Sequence, residues 1–273
     1  LSECRICSDQ FSTRVSHNLG RVDVRVLGDL EVELDDGSVA DLGGTKPRTL
    51  LGVLIAAAGH PVSVPRLIDQ VWDDDPPEQV EASLQTYVAR LRKALGGPTG
   101  AGGRLRTHTG GYSFDLDPFV LDAHRFTTGL ANAAEMMASG DDTTADQTLV
   151  ESLALWRGDA YSGLPSRLLD AEAARLTELR LGAEVSIWEI RVRNGRHVEA
   201  VPALEQLVRL HPFGEPFWYL LALALYRTGR QRDALAALRR ARSTLADELG
   251  IDPGPELQQL ELQVLQQDPA LSK

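Results

Sequence analysis

Apolar and polar residues alternate near the start of the chain, from Val22 to Leu27 and from Leu30 to Leu34, with Gly28-Asp29 between them. A period of two marks half-buried strands, and Gly-Asp suits a turn, so a hairpin is expected. Asp36-Gly37 marks the next turn and Val39 to Leu42 a third short strand. After Gly43-Gly44 the period changes. Leu50, Leu51, Leu54 and Ile55 share the buried face of a helix that opens at Thr45-Lys46-Pro47, with a hydroxyl cap and an early proline, and ends at Gly59-His60-Pro61. Ser63 caps a second helix through Trp72, apolar at Leu67, Ile68, Val71 and Trp72. In a third, Glu81 to Leu95, the residues Leu84, Val88, Leu91 and Leu95 fall on one narrow stripe, which puts Ala82, Thr86, Ala89 and Lys93 opposite it and Arg90 beside them. Arg104 to Phe114 alternates again around Gly110-Gly111, a second hairpin.

From Asp117-Pro118 onward the pattern is helical throughout. Ala123 to Ala138 and Ala145 to Trp156 form one pair, and Arg167 to Asn194 is a long helical tract after the turn at Ser162-Gly163-Leu164-Pro165. The chain then repeats itself. Asn194-Gly195-Arg196 recurs as Thr228-Gly229-Arg230, and Ala200, Ala203 and Leu204 recur as Ala234, Ala237 and Leu238, each offset by 229 − 195 = 34. That spacing is the period of tetratricopeptide helix pairs. Trp218, Leu221 and Ala222 stand where the second unit wants a Trp, a Leu and a small residue, and Pro212 closes the first unit. Two units fall short of the three a stable stack usually needs, so the preceding helices are expected to pack as a degenerate third.

Helix, short turn, helix, acidic loop, helix and hairpin are a helix-turn-helix layout with the third helix in the reading position and a wing after it. Charge sharpens this. The whole chain carries a formal −11, which excludes nonspecific coating of nucleic acid or of an anionic membrane, so a DNA site must be a local basic edge. Between Val80 and Tyr112 five cations (Arg90, Arg92, Lys93, Arg104, Arg106) face one anion (Glu81), a local 5 − 1 = +4. The bland alternative is a solvated amphipathic face. Trp72, Tyr87 and Tyr112 are assigned to packing rather than to base stacking. The Gly/Pro loop Gly96 to Gly103 lacks the Lys-Ser/Thr pair of a phosphate-binding P-loop. Cys4 and Cys7 form a CxxC to which His17 adds at most one further zinc ligand, and the remaining histidines have no metal-ligand spacing, so no metal or cofactor is expected. No nucleophile, base and oxyanion site assembles, which argues against an enzyme. No apolar run reaches membrane length and no signal peptide is visible, placing the chain in the cytoplasm, at the nucleoid if it binds DNA. The expected organisation is an unstructured leader over 1–20, a winged helix over 21–118, a helical domain over 119–268 and a tail over 269–273.

The residues Lys46-Pro47-Arg48, Trp72 with Pro76-Pro77, Leu84-Gln85-Thr86-Tyr87-Val88 with Leu91-Arg92, Gly110-Gly111-Tyr112, Leu155-Trp156-Arg157-Gly158 and Glu248-Leu249-Gly250-Ile251-Asp252-Pro253 resemble, taken together, the Streptomyces antibiotic regulatory protein family. The resemblance spans Val22 to about Gln267. It implies a mainly α fold of two domains, an α+β winged helix-turn-helix of the OmpR-like type followed by an all-α tetratricopeptide-like bacterial transcriptional activator domain. It also implies a transcriptional activator that binds direct repeats near the promoter −35 region, as a tandem homodimer, and recruits RNA polymerase with its sigma factor, usually at a secondary-metabolite gene cluster. Carried over by position, Thr86, Arg90 and Lys93 are the reading face, flanked by Ser83 and Gln85, with Arg92 on the same helix. Arg104, Arg106 and His108 belong to the wing, and Lys46 and Arg48 lie where the first helix meets phosphates. Asp73, Asp74, Asp75, Glu78 and Gln79 match the loop that touches polymerase in OmpR-like proteins, although a solvated linker would look the same. No nucleotide-binding module follows the helical domain, so ATP-driven regulation does not carry over. The alternative reading is a helical-repeat scaffold whose winged helix no longer binds DNA.

Overall fold

The computed structural model describes Val22 to Ser272; the leader with Cys4, Cys7 and His17 lies outside the described residues. The chain divides into two compact units. The first runs to Arg125 and takes in Leu155–Leu176, and the second comprises Phe126–Ala154 and the residues from Thr177 onward.

In the first unit, β1 (Val22–Arg25) and β2 (Glu31–Leu34) pair antiparallel with Val22 opposite Leu34. Val22, Val24 and Val32 are buried, as the alternation requires. The third strand expected at Val39 to Leu42 is reduced to one bridge, Glu33 to Val39, because the chain turns away after Ala40 N donates to Val32 O at 2.8 Å. Helix α1 (Thr45–Ala56) is buried at nearly every position from Pro47 to Ile55. Thr45 is not its cap. Gly44 holds that position, and the Thr45 carbonyl accepts from Thr49 Oγ1 at 3.0 Å. Pro47 is tolerated because the first N–H groups of a helix have no intrahelical acceptor. A two-residue strand β3 (Val62–Ser63) leads into α2 (Val64–Trp72), with Ser63 at the cap position but without a side-chain capping bond.

Helix α3 (Val80–Ala94) follows the exposed acidic loop. Glu81 in its first turn and Arg92 and Lys93 in its last complement the helix dipole. Leu84, Val88, Leu91 and Leu95 are all at most 2% exposed, so the predicted stripe is the buried one. Strands β4 (Leu105–His108) and β5 (Gly111–Phe114) form the hairpin, with Leu105 opposite Phe114 and β3 on the far edge of β5. Gly110 takes φ +81° at the hairpin tip. At Gly111 a Cβ would stand 2.3 Å from Val62 O, so only glycine lets β3 close on β5. Trp72 and Tyr87 stack with ring centroids 5.7 Å apart, and Trp72 and Tyr112 are buried; the tryptophan and both tyrosines pack.

Residues Leu155–Leu176 belong to this first unit through long-range bonds, where a linear division at 118 assigns them to the helical half. Arg157 N donates to Leu27 O at 2.7 Å and Tyr161 N to Val26 O at 2.8 Å. The Asp122 carboxylate, 2% exposed, accepts from Val26 N and Leu27 N at 2.9–3.0 Å and from Ala123 N at 2.7 Å. Burial raises its pKa, and those backbone bonds and Arg157 pull it back down.

The second unit is helical. Helices α4 (Asp122–Ser139), α5 (Asp142–Leu153) and α6 (Arg167–Arg193) bury Ala133, Ala145, Leu149, Ala183, Ile187 and Ile190 together; the unit boundaries fall within α4 and α6. Arg191 pairs with Asp146 at 2.7 Å across α5 and α6. A larger cluster joins α7 (His197–Leu210), α8 (Glu215–Arg227), α9 (Gln231–Leu249) and α10 (Pro255–Gln266) around Trp218, Leu221, Ala222 and Leu238, with Leu181, Val185 and Trp188 of α6 packed against it. The sequence repeat is also a bonding repeat. Arg196 N donates to Arg191 O and Arg230 N to Leu225 O, both at 2.9 Å, while Arg196 pairs with Glu199 and Arg230 with Asp233. Gly195 and Gly229 take φ +82° and +77° at the equivalent helix ends, where a side chain would be strained. Trp218 Nε1 donates to Pro212 O at 2.9 Å, which ties the turn before α8 to its first turns.

Candidate nucleic-acid interface

The outward face of α3 carries Ala82, Gln85, Thr86, Ala89, Arg90 and Lys93, all exposed, with Ser83 half-buried at its edge. Small residues at the start and cations further along suit a helix entering a groove with anionic walls. Thr86 Oγ1 donates to Ala82 O at 2.8 Å, which spends its one donor and leaves the exposed hydroxyl oxygen able to accept. Among the described residues Arg90 and Lys93 have neither a hydrogen-bond acceptor nor an ion-pair partner.

The other cations read from the sequence are engaged with the protein itself. Arg92 donates through Nε (3.0 Å) and Nη2 (2.7 Å) to Leu105 O and through Nη2 to Thr107 Oγ1 at 2.8 Å, so it fastens α3 to β4. Arg104 is buried, its Nη1 donating to Asp115 O at 3.5 Å; desolvation lowers its pKa against the pull of Asp117 and Asp115. Arg106 is half-exposed and pairs with Asp115. His108 is exposed at the wing and lies 2.8 Å from Ser113 Oγ through Nε2. Lys46 Nζ donates to Val71 O at 2.7 Å and Arg48 Nη2 to Leu30 O at 2.8 Å, so both brace α1 against its neighbours. The net +4 counted along the chain therefore leaves two unengaged cations on α3. A third was passed over in the sequence. Arg66, in the first turn of α2, is exposed and has no partner among the described residues, and Val64 N two residues earlier donates to Gly110 O at the wing tip at 2.9 Å. Arg66 stands apart from the other cations along the chain; the bond from Val64 to Gly110 is what relates its turn of α2 to the wing.

The α2–α3 loop is exposed from Asp73 to Gln79. Asp73 pairs with Arg167, and Gln79 stands at the cap position of α3, its carbonyl accepting from Ser83 N at 3.0 Å. Asp74, Asp75 and Glu78 project into solvent without an ion pair among the described residues. Among those residues no group of three His, Cys, Asp or Glu side chains is placed to hold a metal ion, and no helix is long and apolar enough to cross a membrane.

Comparison with known proteins accounts for both halves. Residues 42–114 match the model of the transcriptional regulatory protein C-terminal family, and residues 121–265 match the bacterial transcriptional activator domain. The chain is 37% identical to the transcriptional regulator RedD of Streptomyces coelicolor over 92% of its own length and 73% of that protein's. It is 34% identical to the regulatory protein DnrI of Streptomyces peucetius over 92% and 94%. Against the much longer regulatory protein AfsR of Streptomyces coelicolor it is 40% identical but spans 24% of that chain. A solved structure of Mycobacterium tuberculosis EmbR superposes with a TM-score of 0.86 at 33% identity, covering 93% of this chain and 68% of EmbR. The winged helix, the helical domain and these relatives together establish that the chain belongs to the Streptomyces antibiotic regulatory protein family of transcriptional activators.

Proposed function

We propose that this activator binds direct repeats near the −35 region of its target promoters, in tandem as a homodimer, with α3 in the major groove and the β4–β5 wing against the neighbouring backbone. The observation that carries the reading is the outward face of α3, where Arg90 and Lys93 are the cations left without a partner among the described residues. Gln85, Thr86 and Arg90 read base edges, with Ser83 at the margin, while Lys93, Arg66 and the wing residues about His108 meet phosphates. Lys46, Arg48, Arg92, Arg104 and Arg106 hold the elements that present this face, and their remaining N–H groups add to its positive field. The loop Asp73, Asp74, Asp75, Glu78 and Gln79 offers an acidic surface to RNA polymerase holoenzyme and its sigma factor. The genes so activated form a secondary-metabolite cluster, and the protein acts on the chromosome in the cytoplasm.

The test is a titration of the purified chain against promoter duplexes from its own gene neighbourhood at several salt concentrations. A salt-dependent preference for duplexes with direct repeats over scrambled ones is expected. Equal affinity for both sinks the reading. Light scattering with and without the repeat duplex then reports whether two protomers assemble on it.

A further inference from the structure

The acidic loop leaves α2 through an unfavourable backbone. Asp73, the residue after the helix, sits at φ 52° and ψ −125°, a conformation glycine adopts freely and a residue with a Cβ does not. Two bonds of its own segment hold it there: Asp73 N donates to Asp69 O at 2.9 Å and Asp75 N to Trp72 O at 3.2 Å. The rest of the support comes from nearly a hundred residues away in sequence, yet from the same compact unit. Gln70, in the last turn of α2, donates through Nε2 to Asp69 Oδ2 at 2.8 Å, which fixes its amide. Its Oε1 then accepts from Ser166 Oγ at 2.8 Å and from Leu168 N at 2.9 Å, and Ser166 is buried. Between those two residues Arg167 pairs with Asp73 itself. The strip is seated on α1 at Gly52, where a Cβ would meet Leu169 Cδ1 at 3.0 Å and Leu164 Cδ1 at 3.2 Å.

We propose that Ser166, Arg167 and Leu168 form a brace that sets the direction in which the acidic loop leaves α2, so that the loop is presented correctly only while residues 164–169 are docked on the winged helix. These are positioning residues. Their bonds to the winged helix go to Gln70 and Asp73, not to the α3 reading face or the wing, so the brace acts on activation and not on DNA affinity. This rests on the polymerase-facing reading of the loop given above, and it extends control of that loop to a segment that lies within the match to the activator domain.

Arg167 and Asp73 are 71% and 62% exposed, so Arg167→Ala removes the pair without opening the core. Gln70→Ala removes the other half of the clip. Three readouts are needed on the full chain: amide hydrogen exchange at Asp73 and Asp75, whose N–H groups are hydrogen-bonded, promoter-duplex affinity, and transcript yield with purified polymerase holoenzyme. The brace predicts that each variant speeds loop exchange about fivefold or more, leaves α3 exchange and duplex affinity within about twofold, and lowers transcript yield about threefold or more. Unchanged loop exchange overturns it, as does a fall in duplex affinity that matches the fall in transcript. Asp74→Lys with Asp75→Lys separates the two layers. If that pair leaves transcription intact while Arg167→Ala still loosens the loop, the polymerase-contact reading fails and the brace as a device of loop geometry stands.

Discussion

Arginines two residues apart on α3 are assigned opposite work, and this makes a quantitative test. Arg90 and Lys93 are exposed without a partner among the described residues, whereas Arg92 makes three hydrogen bonds to β4. Each cation that neutralises a DNA phosphate contributes about 0.9 to the slope of log affinity against log salt. Lys93→Ala is therefore expected to lower that slope by about 0.9, whereas Arg90→Ala, at a base contact, lowers it less and relaxes the preference for repeat over scrambled duplex. Between 50 and 200 mM salt, a slope change of about 0.9 shrinks the loss of affinity about 3.5-fold per cation removed. A full phosphate-sized slope change at Arg90 with discrimination intact would mark it as a phosphate contact and contradict its assignment to base edges. Arg92→Ala behaves differently. Hydrogen bonds to a charged group are worth about 1.5–3 kcal/mol where buried, and part-exposure of Arg92 brings its loss to about 1–2 kcal/mol of stability. Thermal or urea unfolding should register that loss, while Arg90→Ala and Lys93→Ala leave the midpoint unchanged. The assay is fluorescence anisotropy of a labelled direct-repeat duplex at four or more salt concentrations, paired with unfolding curves. An unchanged slope in the Arg90, Lys93 double variant refutes the assignment. So does an Arg92→Ala variant that loses slope and keeps its stability.

Asp122→Ala orphans the Val26, Leu27 and Ala123 N–H groups in a buried site, and after allowance for the charge relieved it is expected to cost about 2–4 kcal/mol in urea unfolding. Burial raises the Asp122 pKa in the folded chain, so the folded state holds the proton to higher pH than the unfolded one; the stability difference between wild type and variant should widen as pH falls through the folded value and level off below the unfolded one, and a difference that narrows on acidification contradicts this. Gly111→Ala forces a Cβ onto Val62 O and is expected to cost about 2–3 kcal/mol and weaken duplex binding through the displaced wing; a variant as stable as wild type would show that β3 can part from β5 freely.

What could be read along the chain was whatever depends on neighbours in sequence. The α3 stripe, the hairpins and the 34-residue repeat are periodic, and periodicity is a local record of which side faces a core. The exposed face of α3 followed because it is the complement of that stripe. Charge was legible only as a total. Arg90 and Arg92 look alike in sequence, yet one faces solvent and the other spends its guanidinium on Leu105 O, because 100° per residue turns them about 200° apart around the helix. Thr45 and Ser63 illustrate the same limit at helix starts: the hydroxyls are in place or one residue off, and neither makes the capping bond that its residue type suggests. The organisation into units was the least legible feature, since Arg157 with Leu27, Tyr161 with Val26 and Ser166 with Gln70 are contacts across roughly a hundred residues that no pattern in either segment announces. Two family matches, 42–114 and 121–265, divide the chain between residues 114 and 121, while packing divides it elsewhere and folds Leu155–Leu176 into the winged-helix unit. A winged helix cut at residue 118 would expose the Gly52 face of α1, the Gln70 amide and the hairpin carbonyls of Val26 and Leu27 at once. The unit that carries α3 therefore extends through Leu176, and the start of α6 is part of its structure.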